Sequence, residues 1–178
     1  MAAKKKFAHS ATSDMVAAES SAREYVKFGL VIWFIFLASL WPTYADGLVS
    51  AAEWMRWFMG FFLATFATFK FIGYDMFPVM FAEYDVIAKR SQLYARAYPF
   101  IEFGLGVLYL TNLGGRTRDA LTLVIMTIGT IGVWGAISAR RGAVHCACLG
   151  NVIKLPLSSV SLVEDLSMGA MAAFMLLG

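Results

Sequence analysis

Five stretches of this chain run for about fifteen to twenty residues with almost no charge: Tyr25–Tyr44, Glu53–Gly73, Tyr98–Asn112, Ala120–Ala139 and Leu157–Leu177. A bilayer core is crossed by about 20 predominantly apolar residues in helical form. The segments between most of these runs are short, so the chain reads as one membrane domain. Composition agrees: 60% of residues are hydrophobic and 15% charged, against about 45–50% and about 25% in a soluble domain. The expected fold is all-α: a four-helix transmembrane bundle, one extra N-terminal transmembrane helix, and an amphipathic helix at the membrane interface.

Residues 1–24 precede the first run and form a polar, basic tail with Lys4, Lys5 and Lys6. They lack the apolar core of a cleavable signal and read as mobile, helical only near 14–24. The single transmembrane domain is 25–178. Its first run leaves the membrane at Trp41, Pro42 and Tyr44, aromatic exit residues suited to an interface. In the second, Gly60, Ala64 and Thr68 recur every four residues, a small-residue row that lets a neighbouring backbone approach. In the fourth, Gly129, Gly132 and Gly135 form a similar seam.

Tyr74–Ala97 is different. Pro78 suits a first helical turn. Phe81, Tyr84, Ile87 and Ala88 then share one stripe, and Asp85 and Lys89 stand four apart in the favourable order. The pattern predicts a helix lying in the interface. Tyr98, Glu102, Gly106 and Tyr109 fall on one face of the third run, and NLGGRTRD at 112–119 is a tight turn.

With five spans, the tail, the Lys70–Arg96 segment and the 140–156 loop share one side and hold twelve of the fifteen Lys and Arg. Arg56, Arg116 and Arg118 lie opposite. The positive-inside rule places the N-terminus and the 140–156 loop in the cytoplasm, a re-entrant span would move that loop to the other side, and a bacterial inner membrane is the expected location.

The reactive groups are concentrated in AVHCACLGN at 143–151, which holds both cysteines, Cys146 and Cys148, beside His145. In an extended loop, residues two apart project to the same side. A disulfide closed over so few residues departs from relaxed geometry and is easily reduced, so the pair suits thiol–disulfide exchange better than stapling. Arg140, Arg141 and His145 favour the reactive thiolate. The same Cys146, Cys148 and His145 also suit a soft metal such as copper or mercury, as an incomplete three-ligand set, and both readings stand.

Carboxylates inside apolar runs cost a few kcal/mol and face protein or water. Glu102 is expected to pair with Lys70 or to serve a proton or cofactor role. On the last run, Asp165 shares a small-residue face with Ser161, Gly169 and Ala173, so it should meet a neighbouring helix. Glu164 heads a stripe with Met168, Met171 and Met175 that reads as packing or as a soft-metal path. No phosphate loop, hydrolase triad or HExxH motif is present. The basic residues follow membrane topology, so a nucleic-acid partner is not expected.

FFLATFATFKF, YPFIEFGLGVLYL and HCACLGN before a final helix, in that order, resemble the MauE/DoxX family of redox-associated membrane proteins. The family pattern has a helix ending in lysine, here Lys70; a helix with Glu and then glycines, here Glu102, Gly104 and Gly106; and a C-x-C-F-G loop, here Cys146, Cys148 and Gly150. Leu149 departs from the aromatic residue, and Glu164-Asp165 stands where an Arg-Asn-like pair is expected. The resemblance covers about 57–178, a DoxX-like four-helix core. It implies disulfide chemistry with a thioredoxin-like or other thiol partner, and relatives occur beside heavy-metal-binding modules. The expected activity is that of a membrane thiol–disulfide oxidoreductase component, with Cys146 and Cys148 cycling, His145 assisting proton transfer, and Lys70 and Glu102 bracing the bundle or holding a quinone-like acceptor. A soft-metal carrier and a structural subunit of a larger membrane complex are the competing expectations.

Overall fold

The computed structural model describes residues 2–45, 50–138 and 157–177, which form helices and turns with no strand among them. The helices are α1 (Ala2–Ala45), α2 (Ala51–Ile72), α3 (Phe77–Phe81), α4 (Gln92–Leu110), α5 (Gly115–Ser138) and α6 (Leu157–Leu177). Two stretches are long and apolar enough to cross a membrane: Tyr25–Ala45 within α1 and the whole of α5. Cys146, Cys148 and His145 lie outside the described residues.

α1 corrects the reading of the tail. It is one helix of 44 residues, because Ala, Lys, Glu and Met are good helix formers and neither Gly nor Pro interrupts 2–28. Its apolar half packs on α2 through Phe28 against Phe66 and Phe36 against Trp54, ring centroids 6.3 and 5.6 Å apart. Trp33, Phe34 and Trp41 point away from the core and are exposed.

α2 begins at Ser50, whose hydroxyl accepts from the Glu53 N–H at 3.1 Å. This satisfies one of the donors that a helix start leaves open. Phe58, Phe62 and Phe66 stack at successive turns, the last two with centroids 4.2 Å apart. The small-residue row meets α4 at Gly60 and Ala64, while Thr68 is exposed. A Cβ on Gly106 of α4 would stand 2.8 Å from the Ala64 backbone nitrogen, and one on Gly60 would stand 2.8 Å from Leu110 Cδ2. α2 and α4 therefore pack antiparallel at backbone distance.

The long interfacial helix expected over 74–97 is not formed. α3 is five residues long, with Pro78 in its first turn. Asp85 then ends any helical continuation: its Oδ1 accepts from the Ile87 and Ala88 N–H groups at 2.9 and 2.7 Å, a side-chain turn that competes with the helix. Lys89 donates to the Tyr84 carbonyl at 3.3 Å, in place of the expected pairing along one helix face. Phe81, Tyr84 and Ala88 are buried as the stripe predicts, while Ile87, its fourth member, is exposed. Ser91 then caps α4, accepting from the Tyr94 N–H at 3.3 Å, so α4 starts well before Pro99.

Asn112 (φ 56°) and Gly114 (φ 83°) make the turn into α5, conformations that Asn and Gly tolerate best. α5 and α6 form a second antiparallel pair. Contacts between the two pairs are sparse and include the segment 82–90 against Gly132, a cluster of charged side chains and Arg118 of α5 over Tyr109 of α4.

Candidate functional site

The cluster lies where the two helix pairs meet. Lys70, in the last turn of α2, donates through Nζ to Glu102 Oε2 of α4, and both side chains are only 4% exposed. The lysine chosen by the sequence as a snorkelling residue or as the partner of a buried carboxylate is the partner. Its ammonium also stands 5.1 Å from the Tyr98 ring centroid and 5.9 Å from that of Phe77, within range of cation–π attraction. Tyr98, Glu102, Gly106 and Tyr109, the face picked out from spacing, are all buried.

From the other pair come Glu164 and Asp165. Glu164 is 8% exposed. Asp165 lies against α5 at Gly129, where an added Cβ would be 2.8 Å from Oδ2, so it does meet a neighbouring helix. One turn on, Gly132 leaves room for the backbone of Tyr84 and Asp85, whose nearest atoms are 2.8 and 3.1 Å from where its Cβ would be. Gly135 has nothing within 4 Å, so two of the three glycines make the seam. Lys70, Tyr84, Tyr98, Glu102, Glu164 and Asp165, with their apolar neighbours, line a cavity of about 20 Å³. A water molecule needs about 10–15 Å³ measured this way, so the space suits about one.

Asp85 is a site residue that the sequence did not single out. It is 1% exposed, its Oδ1 serves the turn, and its Oδ2 has no hydrogen-bond partner among the described residues. Burial pushes its carboxyl above the ordinary aspartate value, against the opposing pull of the two backbone N–H donors and Lys89. The signal was in the sequence: an acidic residue between Tyr84 and Ala88, inside the apolar stripe.

The methionine stripe packs against the core. Met168 is buried, and Met171 and Met175 are partly buried against the core. Among the described residues no group of three His, Cys, Asp or Glu is arranged to hold a metal ion.

The three arginines counted as opposite-side charges serve helix ends. Arg56 Nη1 donates to the Tyr109 carbonyl at 2.8 Å while its other nitrogens hold Glu53. Arg118 donates to the carbonyls of Leu108 and Leu113, pairs with Asp119 at 3.0 Å, and lies 4.2 Å above the Tyr109 ring. Arg116 reaches the Leu176 carbonyl at 3.2 Å. The last carbonyls of α4 and α6 lack partners within their own helices and carry partial negative charge, which cations relieve.

No curated protein and no solved structure matches the chain. One family model does, that of methylamine utilisation protein MauE, over residues 48–178. The match takes in α2 to α6, the Lys70–Glu102 pair and the segment with Cys146 and Cys148, and the chain belongs to the MauE family.

Proposed function

We propose that this protein is a membrane component of a thiol–disulfide relay. In this reading α2, α4, α5 and α6 cross a bacterial inner membrane as a four-helix bundle, and α1 adds a fifth crossing with its N-terminus in the cytoplasm. The segment 82–90 lies near the interface. Cys146 and Cys148 exchange with a thioredoxin-like or other thiol partner protein. A partner thiolate attacks the Cys146–Cys148 disulfide, a mixed disulfide forms, and the second partner thiolate resolves it. The partner leaves as a disulfide, and Cys146 and Cys148 remain as thiols, the two electrons and the protons passing to them. His145 assists the proton transfer.

The observation that carries this reading is that the family match spans the chain's only two cysteines, one residue apart, together with the charge pair preceding them in the family's order. α5 ends and α6 begins at the same end of the bundle as the last turn of α2, which carries Lys70. A cavity sized for about one water favours a bracing role for Lys70 and Glu102 over quinone binding.

Acid trapping and alkylation of cells carrying the wild type and the Cys148→Ser variant test the proposal. Oxidised wild type and a mixed disulfide held by the variant are expected. Wild type that is never oxidised, with a variant that traps nothing, would sink it. Thiol labelling from each side of intact and opened membranes would report the orientation.

A further inference from the structure

Where α2 leaves off and α4 begins, the surface opens into a polar pocket of about 340 Å³, lined by Tyr74, Asp75, Pro78, Val79, Gln92 and Arg96. Small-ligand sites occupy about 300–1,000 Å³. We propose that this pocket binds the headgroup of phosphatidylethanolamine, with the phosphate at Arg96 and Gln92 and the ammonium at Asp75. The site needs α2 and α4 to cross the membrane, as in the reading above, but does not need the cysteines.

Two helix ends build the pocket. Gly73 caps α2, and the turn that follows carries Asp75 past the helix before α3 starts at Phe77. Ser91 caps α4, which sets Gln92 and Arg96 four residues apart on one helix face. The Tyr74 hydroxyl donates to the Arg96 carbonyl at 3.0 Å and ties the two walls together. Asp75, Gln92 and Arg96 are exposed. Neither the Asp75 carboxylate nor the Arg96 guanidinium has an ion-pair partner among the described residues. An anion and a cation thus line one pocket without pairing with each other, which suits a ligand that carries both signs.

The donors and acceptors narrow the ligand. A phosphodiester matches the planar donor set of arginine, and the Gln92 amide adds a further donor. A primary ammonium brings three N–H donors for the carboxylate. Phosphatidylcholine has methyl groups in their place, and phosphatidylglycerol has no cation to meet Asp75. What adjoins the pocket favours a lipid over a free phosphate ester. One turn beyond Arg96, Phe100 packs edge-on against Tyr74 and Phe71, with centroids 5.9 and 4.9 Å apart. Phe100, Phe103 and Val107 are exposed, and their spacing of three and four puts them in one stripe leading from the pocket toward the middle of α4. A polar pocket that continues into an exposed apolar stripe has the layout of a headgroup above its acyl chains.

Native mass spectrometry of the full chain in detergent tests the proposal, with phosphatidylethanolamine, phosphatidylcholine and phosphatidylglycerol of identical acyl chains as probes. The wild type should retain the first more strongly than the other two. Arg96→Gln should weaken that binding by about tenfold, the loss of one charge-assisted contact. Asp75→Asn should abolish the preference over phosphatidylglycerol, with helicity by circular dichroism unchanged in both variants. Arg90 is an exposed cation outside the pocket. Arg90→Gln and Cys146→Ser/Cys148→Ser should bind as the wild type does, so the site stands or falls apart from the relay. Equal retention of the three lipids, a preference for phosphatidylglycerol, or no retention, as when another part of the chain fills the pocket, overturns the proposal. So does binding that both pocket variants leave unchanged, or a loss as large in Arg90→Gln or in the double cysteine variant. Free phosphoethanolamine bound as tightly as the lipid would show a soluble ligand, and would overturn the assignment to a membrane lipid.

Discussion

The carboxylate of Asp165 occupies the space that a side chain on Gly129 would need: a Cβ built there stands 2.8 Å from Oδ2 and 3.2 Å from Cγ. The acid on α6 and the missing side chain on α5 are two halves of one contact. Gly129→Ala should therefore displace Asp165 and lower stability by about 1–3 kcal/mol, the usual cost of overpacking. Gly135→Ala is the control, since nothing lies within 4 Å of that position, and a Gly-to-Ala change there should be neutral or stabilising by up to about 1 kcal/mol. Thermal unfolding of the two variants in the same detergent gives the comparison.

At Gly106 the obstacle is backbone. An added Cβ meets the Ala64 nitrogen at 2.8 Å and the Gly60 carbonyl oxygen at 3.2 Å, and neither can rotate aside. Gly106→Ala should cost more than Gly129→Ala, at or above about 3 kcal/mol, because α2 and α4 must separate to admit it. Equal midpoints for the two variants would contradict the backbone-distance packing described above.

Lys70 and Glu102 should behave as a unit. Lys70→Met alone leaves a buried carboxylate without its cation, at a cost of about 3–5 kcal/mol. Lys70→Met/Glu102→Leu removes both charges and should recover most of that loss. A double-mutant cycle measures the coupling, and additive single effects would show that the pair contributes no mutual stabilisation.

For Asp85 the sign of the pH dependence follows from burial. Its carboxyl lies above 3.8 in the folded protein, so the folded state holds the proton more tightly than the unfolded one. The resulting stabilisation is complete below 3.8, declines as pH rises toward the folded value, and is gone above it. Asp85→Asn retains the oxygen that accepts from Ile87 and Ala88 but cannot ionise. Across this window its unfolding midpoint should fall less with pH than that of the wild type, and the Asn variant should be the more stable at neutral pH.

Arg118 is expected to resist conservative replacement. Its planar group stacks over Tyr109 while serving two carbonyls and Asp119. Lysine keeps the charge but neither the stacking nor the several fixed donors. Arg118→Lys should lose about 1–3 kcal/mol, and Arg118→Ala more, since Asp119 is then buried without its partner. Rescue to wild-type stability by lysine would show that charge alone matters there.

The parts of this fold that could be read in the sequence are those where physics leaves few options. A lysine and a glutamate inside apolar helices must find each other or water, so Lys70 and Glu102 were visible as partners. Gly60 and Ala64 were visible because small residues at helical spacing mark close approach, while Gly106 opposite them was read only as one member of the Glu102 face. The Asp85–Lys89 spacing misled, since an aspartate that bonds forward to backbone N–H groups ends a helix as readily as it decorates one. The sequence also offered Arg56, Arg116 and Arg118 only as topology charges. Their tasks depend on which helix ends lie beside them, and that is set by tertiary packing across more than fifty residues for Arg56 and Arg116. Cys146, Cys148 and His145 lie outside the described residues, and the bet placed on them rests on spacing and family.

The sparse contact between the helix pairs has a mechanical consequence. α2 and α4 close on one another at Gly60 and Gly106, and α5 and α6 at Gly129. Between the two pairs runs a seam with fewer contacts, fastened by the 82–90 segment, by the buried charges around Lys70 and, toward the other end, by Arg118 over Tyr109. Packed interfaces of fixed shape have one closed position, but a seam fastened by charge tightens or slackens with the charge it holds.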